Sequence, residues 1–433
     1  MAGPDEESTR EPRVDRLGGV FYRFWSAATS SNLADGMLLT AMPLVGALLT
    51  DDPLLISGLV AARFLPWLLF GPLSGVLVDR VDRAQAMTAA AALRATTMGT
   101  LAVLVAMDLA TIWVLYAAMF LIMSGETVYD IGARSLLPRL VRAHQLDRAN
   151  SRLEGGRVVT EDCAGAPLAG LLFATAAALP LASAAGAYAV AALLLLGIPL
   201  SMRRPPAPEG TTDGPPPVSR RSVGQSLLDG IRYVLGTPIL RGLLMLNVTI
   251  MLSLQMGIAV LVLFAQQRLG VPASLYGVFL AAMAMGAFLG ATCVSRLVAT
   301  LGRAAVIRSA LLGMAGAMLA FGLAPNAYAG ALCLGLFGFA ITTTNVANTV
   351  ILQTMIPDEL RGRTIGAYRM LGWGLAPIGA LTGGLLGRLD LSLPYVAGAS
   401  LALLAVLTLW SLIGRAAHLA NEMGTARPAG DAA

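Results

Sequence analysis

Lysine is missing from this chain: all 30 basic residues are arginine. Without lysine, a phosphate loop of the G-x-x-x-x-G-K-[ST] kind cannot form, and no Schiff base can be built on an ε-amine. Uphill work by this chain is therefore not powered by a nucleotide hydrolysed on it. Charge of either sign is scarce, at 13% of 433 residues, against about 25% in soluble domains. Cysteine is rare too. Cys163, Cys293 and Cys333 lie far apart in apolar stretches, with no disulfide or zinc spacing, and read as small core residues. His144 and His418 are isolated, are expected in solvent and make no metal site. No cofactor fingerprint and no Ser-His arrangement is present, so no cofactor or metal is expected and an enzyme is disfavoured. The polar start, "MAGPDEESTREPRVDR", lacks the pattern of a cleaved signal, so the first apolar helix is expected to stay.

What fills the chain instead is apolar: 56% hydrophobic residues and a mean hydropathy of +0.72. So few polar residues could not cover a water-soluble surface. The chain reads as an all-α membrane protein. Spans of roughly 20 apolar residues fall near 24–49, 54–78, 84–107, 111–132, 157–178, 181–202, 240–266, 272–296, 305–324, 327–352, 364–387 and 393–415. That makes twelve, and it puts both termini on one side.

Arginine position sets the side. Of the 30 arginines, 26 fall in the tails, the centre and the loops after even-numbered spans. Only Arg268 and Arg388 fall in the opposite loops. The positive-inside rule makes both termini cytoplasmic. The arginines report topology, and no nucleic acid is expected as a partner. "RRPPAPEGTTDGPPPVSRR" (203–221) reads as a flexible linker, and 222–235 as an amphipathic helix on the inner membrane face. The expected division is a tail at 1–23, a six-helix bundle at 24–202, the linker region at 203–239, a second bundle at 240–415 and a tail at 416–433. The halves echo each other: "GPLSG" (71–75) in span 2 and "GAFLG" (286–290) in span 8, "GAPLAG" (165–170) in span 5 and "APIGA" (376–380) in span 11. Such repeats build two pseudo-symmetric rocking bodies around a central site.

"GVLVDRVDR" (75–83), between spans 2 and 3, resembles the loop motif G-x-L-x-D-R-x-G-R of the major facilitator superfamily. Gly75, Leu77, Asp79, Arg80 and Arg83 match, and Asp82 stands where the second glycine would be. Over roughly 20–415 the chain is similar to the drug-efflux branch that includes macrolide and siderophore exporters. The resemblance implies that Asp79 faces the N-terminus of span 11. Asp79 and Arg83 would then latch the halves on the cytoplasmic side, with Arg134 as a second partner for Asp79. Gly71 and Gly75 allow close helix approach, and Arg80 serves topology alone or joins the latch. The export motif G-P-x-x-G-G of span 5 is echoed in degraded form by Ala166, Pro167, Ala169 and Gly170, either an export signature or a packing kink.

Ionisable groups at mid-span are costly and mark function. Asp35 in span 1 and Arg63 in span 2 lie near one depth and are expected to pair. Arg94 in span 3 is expected to take Glu126 in span 4, with Asp130 one turn further on. Asp35 and Glu126 are either proton carriers or locked ion pairs, with Asp35 ahead as the coupling site. Asn32, Asn247, Gln255, Thr343, Asn345 and Asn348 are the expected cavity lining. The reading is a monomeric, proton-coupled exporter of small amphipathic molecules in the inner membrane of a bacterium. The alternatives are an uptake or lipid carrier on the same fold and, less favoured, a membrane-embedded enzyme.

Overall fold

The computed structural model describes residues 17–80, 82–198, 223–356 and 358–426, with the side chains of 71–80, 162, 223–227, 358–359, 361–363, 369, 421 and 423–426 left out. Among the described residues the chain is helical, with no strand. The first set is α1 (Gly19–Leu49), α2 (Pro53–Arg80), α3 (Arg83–Ala106), α4 (Ile112–Leu140), α5 (Leu146–Arg157), α6 (Ala166–Thr175) and α7 (Ala178–Leu196). After α8 (Val223–Gly236), the second set is α9 (Pro238–Leu263), α10 (Ala273–Leu301), α11 (Arg303–Gly322), α12 (Ala327–Met355), α13 (Asp358–Gly374), α14 (Ala376–Gly387), α15 (Leu393–Thr408) and α16 (Trp410–Ala426).

The starts of several helices follow from side-chain capping. Asp82 accepts from the amides of Ala84 and Gln85 and opens α3. Asn326 accepts from Ala329 and opens α12. Among the described residues ten helical stretches are long and apolar enough to cross a membrane, and α15 with α16, one pair bent by 60°, would make an eleventh span. The remaining expected span, 157–178, lies in a continuous helix over Leu146–Thr175 that carries Arg157 and Glu161.

Two expected boundaries change. The last expected span, 393–415, breaks after Thr408, and α16 runs on helically through residues assigned to the tail. Its amphipathic face packs on α11 and α12, where Arg308 donates to the Trp410 carbonyl at 2.6 Å. The linker helix starts and ends one residue later than expected and packs against α13 and α9. The linker at 203–221 lies outside the described residues.

Packing repeats between the sets. Spans 2 and 4 pair as spans 8 and 10 do (α2 with α4, α10 with α12). Spans 3 and 6 pair as 9 and 12 do (α3 with α7, α11 with α15). The sets meet mainly through α2 on α14 and α6 on α10, the two contacts that the same repeat exchanges. Small residues make the approaches possible, as expected where apolar lipid supplies no hydrophobic drive. A Cβ on Gly165 would stand 2.6 Å from Gly36 Cα, so α1 and span 5 touch backbone to backbone.

Span 5 is not uniform. Between α5 and α6 the chain widens into π-helical turns over Val158–Gly165. Pro167 follows at the first turn of α6. A proline offers no N–H and its ring crowds the carbonyl four residues back, so the turn before it opens. The expected kink at Ala166–Gly170 is thus a widened turn just upstream.

Candidate functional site

The deepest polar cluster is in the first bundle. Arg94, fully buried on α3, sits at its centre. Gly125 on α4 makes room for it: a Cβ there would meet Arg94 Cγ at 2.8 Å. Nη2 donates to Asp35 Oδ1 on α1 and, at 2.9 Å, to the Tyr188 hydroxyl on α7. Nη1 donates to Ser31 Oγ at 2.9 Å and lies 2.5 Å from Glu126 Oε2 on α4. Tyr188 donates to Asp35 Oδ1 at 2.8 Å, and the Arg94 guanidinium stacks over its ring at 4.1 Å. One guanidinium therefore serves two carboxylates.

This corrects the expected pairing. Asp35 pairs with Arg94, not Arg63, while Glu126 pairs with Arg94 as expected. Arg63 has no ion pair within 4.0 Å among the described residues. The charges of Glu161, Asp35 and Glu126 reach it from further off, and it lies 5.7 Å from the Phe64 ring centroid. The cause is geometric: α3 and α7 lie against one another and α7 lies against α1, so the deep acid on α1 meets α3 first. Asp130 lies 4.0 Å from Arg134, and Glu161 pairs with Arg157 at 3.3 Å. Ser31, a polar neighbour of Asp35 already visible in the sequence, joins the cluster, as do Tyr188 and Tyr129, which the sequence did not single out. A tyrosine among alanines in span 6 carried no distinguishing mark.

Gly71, Gly75, Asp79 and Arg80 lie outside the described side chains. Asp82 caps α3, and Arg83 donates to the Ser135 carbonyl of α4 at 3.0 Å. A cross-bundle tie stands elsewhere, on the face carrying loops 1–2 and 11–12. Asp52 takes two hydrogen bonds from Arg388, and Asp51 accepts from Gln267 at 2.9 Å. Arg388 holds the Asp52 carboxyl below its ordinary value through that hydrogen bond. Nearby, Gly170 on α6 abuts Gly277 on α10, so the "GAPLAG" stretch is itself a bundle-to-bundle contact.

The expected cavity lining splits. Asn247, Asn345 and Asn348 come together with Thr344 around a pocket among α9, α11, α12 and α16. Gln255 is buried under Gly379 of α14, and Thr343 is buried facing Gly290 of α10. Asn32 is half-buried one turn before Asp35. Among the described residues no group of three histidine, cysteine or acidic side chains is placed to hold a metal.

The sequence pattern of the transmembrane secretion effector family matches residues 17–423. The chain belongs to this family. That places it within the major facilitator superfamily. It is 30% identical over 186 residues to the enterobactin exporter EntS of Escherichia coli O1:K1 / APEC, 43% of this chain and 44% of that protein. EntS of Escherichia coli O127:H6 (strain E2348/69 / EPEC) matches to the same extent. The chain thus spans less than half the length of these curated relatives. Among solved structures, the nucleoside transporter NupG superposes with a TM-score of 0.71 at 12% identity, covering 91% of this chain and 99% of NupG. A bacterial homologue of the iron transporter ferroportin in its inward-facing state gives 0.70 at 16%, covering 93% and 100%. These likenesses establish the shared fold.

Proposed function

We propose that the protein is a proton-coupled exporter of small amphipathic molecules that works by alternating access in the inner membrane of a bacterium, with both termini cytoplasmic. The observation that carries this reading is the buried set Asp35–Arg94–Glu126. Ionisable groups this deep in an apolar bundle are expensive to keep and mark ion or proton pathways. Two carboxylates on one guanidinium leave a surplus negative charge, and a proton can neutralise it.

The contacts between bundles support alternating access. Asp52–Arg388, Asp51–Gln267 and Gly170–Gly277 lie toward the ends of the spans that would face outward, and would hold the outer side closed. The two bundles, 24–202 and 240–415, would be the rocking bodies, with 203–239 joining them. Asn247, Thr344, Asn345 and Asn348 set uncharged polar groups among apolar ones within the second bundle, a mixture suited to amphipathic ligands where the cavity opens. The partial match to EntS makes enterobactin one candidate cargo.

The test is accumulation of a panel of amphiphiles, enterobactin among them, in an efflux-deficient bacterium that expresses the protein with and without a protonophore. Lower accumulation of at least one compound, abolished by the protonophore, is the expected result. Higher accumulation of a compound would reverse the direction, and export indifferent to the protonophore would remove the proton.

A further inference from the structure

The two acids on Arg94 are not equivalent. Tyrosine has one hydroxyl proton, and arginine only donates. At Tyr188 the oxygen accepts from Arg94 Nη2, so its proton goes to Asp35 Oδ1, 2.8 Å away. That same oxygen also takes a hydrogen bond from Arg94. Two donors on one carboxylate oxygen favour the charged form. The arrangement is fixed from three sides: Tyr188 is fully buried, its ring lies under the guanidinium, and Ser31 holds Nη1.

Glu126 is held loosely by comparison. Its close approach to Arg94 Nη1 is not aligned as a hydrogen bond, and Oε2 has no donor. It lies within hydrogen-bonding reach of Asp130, and carboxylates that close share a proton rather than both ionising. Side-chain exposure rises from 11% at Asp35 to 20% at Glu126 and 36% at Asp130. On the proton-coupled reading, a proton would reach Glu126 by way of Asp130. The Tyr129 hydroxyl, buried and without a partner, stands among these groups and can donate to Glu126 once it is ionised.

We propose that Glu126 carries the exchanged proton, and that Tyr188 is the positioning residue that imposes this by keeping Asp35 a fixed anion on Arg94. The inference rests on the proton-coupled reading above. The groups facing Glu126 are Asp35 from α1, Arg63 from α2, Arg94 from α3, Glu161 from the widened turn, Tyr188 from α7, and Tyr129 and Asp130 on its own helix. A proton from water binds a Glu126 carboxylate oxygen and leaves Arg94 in a one-to-one pair with Asp35. When the proton returns to water, the surplus charge reappears. Only O–H bonds form and break.

The test is infrared spectroscopy of the purified full-length protein in lipid vesicles, titrated across the neutral range with no cargo present. The signal is the stretching band of protonated carboxyl groups. The wild type is expected to show a titrating band that Glu126→Gln loses and Asp35→Asn keeps. Tyr188→Phe, which keeps the ring over Arg94 but removes the donor, is expected to add a second titrating carboxyl. A band that survives Glu126→Gln overturns the proposal, as does the absence of any titrating band in the wild type. Should Asp35→Asn fail to fold, Tyr188→Phe decides alone: an unchanged spectrum overturns the proposal. Protonation is read here without transport. Protonophore-insensitive export would sink the coupling while leaving this band in place, and the two failures are distinguishable.

Discussion

Asp52 and Arg388 lie 336 positions apart in the chain and meet in a two-pronged ion pair, Nε to Oδ1 at 2.7 Å and Nη2 to Oδ2 at 2.5 Å. Asp52 sits at the start of α2 and also accepts from the amide of Leu54. Arg388 closes α14. The pair thus ties the ends of the two helices that form a main seam between the bundles. A carrier that alternates must break it in every cycle. The double variant Asp52→Cys/Arg388→Cys is expected to be bridged by a short bifunctional methanethiosulfonate reagent and stop transport, with recovery on reduction. The exchange Asp52→Arg/Arg388→Asp should retain more activity than either single reversal. Full transport by the cross-linked protein would deny the seam any part in the cycle.

The same pair fixes a pH dependence. The Asp52 carboxyl is held below its ordinary value of 3.8 by the Arg388 hydrogen bond. A depressed acid contributes fully above its free value and loses its contribution as pH falls through the lower bound value. Closure at this face is therefore expected to be constant through the neutral range and to loosen only in strong acid. Distances between spin labels on loops 1–2 and 11–12 measure this. Opening near neutral pH would mean that another group controls the face.

Gly125→Ala puts a methyl within 2.8 Å of Arg94 Cγ and 3.1 Å of Cδ. Overpacking of this kind costs about 1–3 kcal/mol, and here it also displaces the arginine from its acids. A lower melting temperature together with reduced transport is expected. Gly186→Ala on α7, which meets nothing within 4 Å, is the control and should leave both unchanged.

Arg63 and Arg94 should respond oppositely to methionine. Arg94→Met leaves Asp35 and Glu126 buried without their cation, a loss of about 3–5 kcal/mol where a buried pair is broken from one side. Arg63 breaks no ion pair when removed, so Arg63→Met is expected to hold or raise the melting temperature. Thermal unfolding in detergent reads both. A large drop for Arg63→Met would show that it pairs tightly in solution.

Much of the architecture was legible because its cause is periodic and one-dimensional. Runs of apolar residues bounded by Pro, Asp and Asn mark where helices start and stop, and "GPLSG" against "GAFLG" marks the repeat. The site was legible by depth but not by partner. Depth follows from counting along a span, so Asp35, Arg63, Arg94 and Glu126 all stood out. Which arginine takes Asp35 depends on which helices are neighbours, and α1 packs against α7, which brings α3 alongside. Tyr188 and Tyr129 were invisible because neutral hydroxyls are cheap in a span and common there, whereas Ser31 stood out only as a polar neighbour of Asp35. The Asp52–Arg388 pair was missed for the opposite reason: both residues lie in loops, where charges are unremarkable until the fold brings two loops together.

The widened turns of span 5 bear on how this chain tolerates change in length. A helix turns about 100° per residue, so one residue gained or lost swings everything beyond it by about that angle. A π-helical stretch is where a surplus residue can be housed without that swing. Arg157, just before Val158–Gly165, pairs with Glu161 inside it, and the stretch lies against α1; beyond it, Ala166–Gly170 meets α10. The two faces are held in separate phase. A single deletion inside this stretch would straighten the helix and force it to give up either the backbone contact with α1 or the one with α10. Elsewhere along the span the same deletion would cost both.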